Sequence, residues 1–497
     1  MELGFIKTPV ACLRRNLWQT QDREFTQELR LGDDVPDIGS ILSARGQCII
    51  RGKEWMGDSV GVSGGVMVWI LYAPADGGSP CCVEAWVPVQ AKWPMMDSHR
   101  EGAIRTSWLL RGVDARCISA RKMMIRADVS LLTEALEPWE TEIYAPERLS
   151  PDIQLLRRSY PATVPKEAGE KLIQLEEEPE LPSGSPPIRK ICAIEANPQL
   201  TEQRVMGDKA VMRGDLSVHM LYEGTDGHLQ TADFELPISQ FTELDRDYDK
   251  AATLCVMMAL SSLEAEPVEN RVRLKCGMVA QYVVWDQMLL ELVEDAYSLS
   301  QEVEPQMGTL ELPVELDRCR NTLRCEVPIP VEATAVVDTW AGPAQPRIRR
   351  AGGLTELELW GNMGALYRDE EGQLRGCSGQ WSSVWELPAG ENGAVMAMVS
   401  PENRPEAAVG DGLTLGMDLT AQVLTAQKDG LPMVTGLNLG EKLQPDAQRP
   451  SLIVRRAGDA DLWELAKTGG STVDAIRRAN ALTGEPSQDQ ILLIPVY

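Results

Sequence analysis

Three stretches of this chain repeat one another in the same order. Residues 64–72 read Gly-Gly-Val-Met-Val-Trp-Ile-Leu-Tyr, residues 214–222 read Gly-Asp-Leu-Ser-Val-His-Met-Leu-Tyr, and residues 357–367 read Leu-Glu-Leu-Trp-Gly-Asn-Met-Gly-Ala-Leu-Tyr. Each ends in Leu-Tyr and runs into an acidic and glycine turn, at Asp76-Gly77, Asp226-Gly227 and Glu371-Gly372. Apolar residues alternate with period two, which places Val66, Val68, Ile70 and Tyr72 on one face, as it does Leu216, Val218, Met220 and Tyr222. That is the pattern of a half-buried strand entering a hairpin. A second strand follows each turn and reaches Pro88, Pro237 or Pro388, where loss of a backbone donor predicts a stop. A later alternating strand recurs too, at 125–131, 272–280 and 413–421.

A period of about 145–150 residues implies tandem units rather than one large domain. The expected fold is multi-domain and mainly β, with repeats that are sandwich-like or barrel-like, about 120–140 residues each, and a small α+β module of order β-α-α-β at the end. The boundaries read as an N-terminal segment 1–30, a first repeat 31–150, a linker 151–188, a second repeat 189–300, a third repeat 301–430, a linker 431–450 and a module 451–497. The first linker is read from its Glu176-Glu177-Glu178-Pro179 run and the Pro186-Pro187 pair, the composition of a stiff exposed connector.

The formal net charge of -26 argues against nucleic acid and anionic lipid as main partners, because a surface this acidic repels phosphate. The first residues show no basic start followed by an apolar run, and no stretch reaches the about 18–20 apolar residues of a membrane span, so the expectation is a cytoplasmic protein without a transmembrane segment. The 11 cysteines have irregular spacing and no Cys-x-x-Cys pair, and they read as thiols mostly in cores. His99, His219 and His228 are the only histidines and lack metal-ligand spacing; each reads as a surface residue. No phosphate-binding glycine loop or nucleophile elbow occurs. The expectation is a non-enzymatic chain with no catalytic residue, no metal and no cofactor.

The final segment changes character. Residues 452–455 read as a strand. Asp461 is placed to cap a helix from Leu462, with Glu464 at capping-box spacing and Gly469-Gly470 closing it. Ser471 or Thr472 opens a second helix with Val473, Ile476 and Ala479 inward, Asn480 closes it, and 491–494 is a strand ended by Pro495. Trp463, at the start of the first helix, reads as a core residue beneath the second helix.

Val454, Gly458-Asp459, Leu462-Trp463, Leu465-Ala466-Lys467, Ser471-Thr472-Val473, Ile476, Asn480 and Leu493-Ile494-Pro495 resemble a LysM module. The resemblance implies a groove between the loops 458–462 and 481–491, which makes Gly458, Asp459, Ala460, Asp461, Leu462, Trp463, Asn480, Ala481 and Leu482 the candidate site. The upstream repeats, through the Leu-Tyr strand, the turn and the Pro88, Pro237 and Pro388 strand, are similar to the SPOCS domain of sporulating Firmicutes. Three such units with a terminal LysM module resemble the SipL family of spore coat and envelope assembly proteins. The resemblance implies a role on the mother-cell side of the forespore surface, with the module docking a coat-basement morphogenetic ATPase or another spore envelope protein. The alternative is binding of peptidoglycan through N-acetylglucosamine.

Overall fold

The computed structural model describes the whole chain except residues 1, 4, 96–100, 148–149, 313–314, 352–353, 388–392, 428–429, 445–449 and 459–460. The chain is mostly β-strand with two short helices near its end. His99 and Pro388 lie outside the described residues.

The first two repeats each contain two antiparallel sheets, and the third contains three because its opening and closing strands divide between two. The strands that open each repeat pair with the strands that close it. Phe5–Arg30 pairs with Lys122–Pro146, Ile153–Glu177 with Arg271–Ser298, and Gln301–Leu310 and Glu315–Ile329 with Leu431–Lys442 and Leu413–Gln427. The openers begin at Phe5, Ile153 and Gln301, about 148 residues apart each time. A third strand completes each sheet: Ala103–Ser119, Thr253–Val268 and Gly393–Pro401.

This arrangement corrects three boundaries. Residues 1–30 are not a separate segment, since Phe5–Arg30 is the opening strand of the first repeat. Residues 151–188 are not a linker, since Ile153–Glu177 opens the second. Its glutamates face a basic partner strand: Glu176 meets Lys275 at 3.3 Å, Glu178 meets Arg273 at 2.7 Å, and Glu180 meets Arg271 at 2.5 Å. What reads as connector composition is a cross-strand charge ladder. Residues 431–450 are not wholly a linker, since Leu431–Lys442 lies between Gln301–Leu310 and Glu2–Leu3 in one sheet. The third repeat therefore extends beyond residue 430.

Another sheet of each repeat carries the recurrent hairpin: Ser59–Pro74 with Cys81–Pro94, Ile188–Gly224 with Leu229–Tyr248, and Leu354–Arg368 with Leu374–Leu387. The turns are built alike. Gly77, Gly227 and Gly372 have φ of 78°, 78° and 73°, the left-handed region open to glycine. A carboxylate braces each turn: Asp76 accepts from Gly78 N at 3.2 Å, Asp226 from His228 N at 3.0 Å and Asp369 from Gln373 N at 2.7 Å. Tyr72, Tyr222 and Tyr367 are all buried. Pro88 and Pro237 do not end their strands, which continue to Pro94 and Tyr248. Both strands have a neighbour on one side only, so the missing N–H costs no ladder bond.

The repeats are packed together rather than strung out. One buried cluster joins Trp69 and Leu71 of the first repeat, Met212 and Leu274 of the second and Leu366 of the third. The outer ends of the three opener–closer ladders also converge, with Val10 and Cys12, Val164 and Leu290, and Leu310 and Met433 in one cluster. Three two-stranded ribbons thus share an apolar axis, extended by Ile153, Ala296 and Leu437.

At the end of this axis lies the β-α-α-β segment: Leu452–Arg456, α1 (Leu462–Gly469), α2 (Val473–Ala479) and Ile491–Pro495. Asp461 caps α1, accepting from Glu464 N at 2.8 Å, and Gly470 closes it in the left-handed region. Thr472 caps α2, with Ala475 N donating to its hydroxyl at 3.1 Å. Ala475 and Ile476 face inward, whereas Ala479, the last residue of the helix, is exposed. Leu462, Leu465, Ala466, Ile476, Leu492 and Ile494 form the core, and Tyr297 belongs to it.

Candidate functional site

The candidate groove residues take different roles. Asp459 and Ala460 lie outside the described residues. Gly458 is exposed with φ 62°, and its N–H donates to Gln488 O at 2.9 Å, while Ala457 N donates to Gln490 O at 2.9 Å. These bonds set Ala457 and Gly458 beside Gln488 and Gln490. Ala481 is exposed and left-handed at φ 51°, and Asp461 is exposed beyond its capping bond. Leu462 is core. Asn480 is structural: its amide donates to Leu493 O at 2.7 Å and its oxygen accepts from Leu493 N at 2.8 Å, pinning the last strand to the end of α2. Leu482 is half-buried against the same core.

Trp463 is buried in the same core cluster as Ile476 of α2, and it also reaches the second repeat. Its ring meets Tyr297 edge-on at 4.8 Å, and its indole nitrogen donates to Asp295 at 2.8 Å. Lys467 donates to the same carboxylate at 2.7 Å, and the Tyr297 hydroxyl donates to Ser471 O at 2.8 Å. Burial pushes the Asp295 carboxyl up, but Lys467 and Trp463 together hold it below its ordinary value. The segment is therefore docked on the Arg271–Ser298 strand and is not free-standing.

The helices cover one face of the two-stranded sheet and leave the other open. Ile453 pairs with Ile494 and Arg455 with Leu492 on the helix side, while Leu452 pairs with Pro495, Val454 with Leu493 and Arg456 with Ile491 on the other. Val454 is 62% exposed, Ile491 65%, Leu452 45% and Leu493 37%. Four aliphatic side chains on one small open face form an apolar stripe, the kind of surface that marks an interaction site. Residues 491–494 are all apolar, and a sheet of two strands can be covered on one face only, so the sequence carried this signal.

The second notable site joins the three repeats. His219 is buried, not on the surface as its place on the polar side of a strand implied, because that side of the hairpin faces another repeat rather than water. Its Nδ1 lies 2.6 Å from Asp233 and its Nε2 3.0 Å from Asp338. Asp338 of the third repeat also meets Arg45 of the first at 2.6 Å and Arg404 at 2.9 Å, and Arg404 meets Glu195 of the second at 3.2 Å. Arg45 and Asp338 are both nearly inaccessible. Burial pushes the His219 imidazole down and the Asp338 carboxyl up, yet the mutual charges win. His219 stands above its ordinary value and Asp338 well below.

A cavity of about 840 Å³ adjoins this cluster, lined from all three repeats by Gln47, Trp108, Asn197, Gln199, Trp340 and Arg404 among others. Its amides stitch the repeats together. Gln47 accepts from Ala196 N at 3.0 Å, and Gln199 donates to Pro401 O at 3.0 Å.

Among the described residues no helix is long and apolar enough to cross a membrane. Residues 187–268, the hairpin of the second repeat and the strand after it, match the family model described as SipL, SPOCS domain. No curated protein and no solved structure gives a match.

Proposed function

We propose that this chain is a non-enzymatic assembly protein of spore formation, whose C-terminal LysM-like module docks a protein partner at the forespore surface. The match of residues 187–268 supports the link to sporulation. The observation that carries the docking role is the open apolar face of Leu452, Val454, Ile491 and Leu493. A sugar polymer is recognised mainly through hydrogen bonds, whereas an aliphatic stripe suits the core of a protein interface.

The non-enzymatic reading draws support from the one buried histidine among the described residues. His219 has a carboxylate against each ring nitrogen. An imidazole held this way between repeats suits an ionic clamp. The alternative, peptidoglycan in the groove between the two loops, draws on the exposed backbone at Gly458 and Ala481.

The test is co-precipitation from sporulating cells with the whole chain, a chain ending at residue 450, and the Val454→Asp/Leu493→Asp variant. Recovery of a coat-basement protein by the whole chain alone supports the reading. Equal recovery by all three removes it. Retention of the whole chain on insoluble peptidoglycan, unaffected by the double variant, would favour the glycan alternative.

A further inference from the structure

Cys82 and Cys192 come from different repeats and meet at their boundary. Cys82 lies in Cys81–Pro94 of the first repeat and Cys192 in Ile188–Gly224 of the second. Lys190 Nζ donates to Cys82 O at 2.8 Å, and the Cys82 thiol contacts Ile191 O at 3.7 Å, the carbonyl of the peptide that joins Ile191 to Cys192. Both cysteines are buried in one apolar cluster. A cavity of about 400 Å³ is lined by Arg30, Asp34, Glu84, Lys190 and Cys82.

We propose that Cys82 and Cys192 are a redox-responsive pair, oxidised by a peroxide to a disulfide that ties the first repeat to the second. The Cys82 thiolate attacks the peroxide O–O bond and becomes a sulfenic acid. The departing hydroxide takes up a proton as water. The Cys192 sulfur then displaces the sulfenic oxygen, forming the S–S bond, and its proton leaves with that oxygen as a second water. One hydrogen peroxide is reduced for two thiols oxidised.

The local chemistry favours Cys82 as the attacking sulfur. The neighbouring Cys192 thiol and the Lys190 ammonium hold Cys82 below its ordinary value against the cost of burial, while Cys192 is driven far up. Cys81, one residue away, is instead pushed up by burial, and its thiol contacts Ser79 O. Cys48 and Cys276, deep in apolar surroundings, are pushed up to about 12. The pair stands apart from the docking face, so this inference does not depend on the proposed function.

The experiment treats the folded whole chain with hydrogen peroxide, blocks remaining thiols and maps tryptic peptides without reduction. The expected product joins the peptide between Lys53 and Lys92 to the one between Lys190 and Arg204, with loss of two hydrogens and reversal by a thiol reductant. Cys81 and Cys82 share a peptide, so Cys81→Ser must keep the link and Cys82→Ser must lose it. Oxidation of the unfolded chain serves as the control and should scatter the links over many cysteines. A native map with no 82–192 link, or one that follows Cys81, overturns the proposal.

Discussion

The indole N–H of Trp463 donates to the Asp295 carboxylate at 2.8 Å, so the first helix of the C-terminal segment is tied by a side chain to the closing strand of the second repeat. Asp295→Ala leaves that buried donor without a partner, at a cost of about 1–3 kcal/mol. The loss of the half-exposed Lys467 pair adds little. Hydrogen exchange should quicken about tenfold or more in α1 and α2, with the repeat strands unchanged. Equal quickening across the repeats would show instead that the contact supports the whole chain.

Asp338 is the shared counter-ion of Arg45, His219 and Arg404. Replacing it by alanine strands a fully buried guanidinium, which costs about 3–5 kcal/mol. Denaturant melts should show this loss. The Arg45→Met/Asp338→Leu double variant should recover part of it, because a matched apolar pair removes both buried charges.

The same cluster sets a pH dependence. His219 stands above its ordinary value, so its contribution is complete below about pH 6.5 and is lost as pH rises through the folded value. Asp233 and Asp338 stand below theirs, so their contribution is present above about pH 4 and lost as pH falls through the folded values. Melting temperature should therefore decline on the alkaline side. His219→Gln should lower the acidic plateau and flatten that decline. A parallel decline in the variant would remove His219 from the effect.

The three hairpin turns offer an internal comparison. Gly77, Gly227 and Gly372 share a left-handed backbone, and an added Cβ would touch nothing at any of them. Alanine at each should then cost only the conformational penalty, about 1–2 kcal/mol. Three separate melts should agree within about 0.5 kcal/mol. A much larger value at one site would mean that the turns are not equivalent.

These turns and their strands were legible in the sequence because their signals are local: a left-handed glycine, a bracing carboxylate and a two-residue alternation ending at a buried tyrosine. The opening strands were not. Phe5–Arg30 has few fully buried positions, Val10, Cys12 and Leu17 among them, so it shows little alternation. Ile153–Glu177 contains Pro161 and Pro165, tolerated because it borders only one strand. Leu431–Lys442 loses its phase at the register shift opposite Gln306 and Met307. His219 was misread for a different reason: which neighbour covers a polar face is a tertiary fact. Around the candidate groove, the sequence did not disclose that the Trp463 indole reaches Asp295 or that Val454 and Leu493 are exposed, because both are set by how the segment packs.

Glu2 pairs with Asn438, and Leu3 with Leu437. A ribosome releases the first two of these residues long before it has made the last two, so the opening of the chain must wait, unsatisfied, through most of its own synthesis. The seam can close only when the third repeat has emerged to its end. Until then any shortened product lacks the strand that Glu2 and Leu3 pair with.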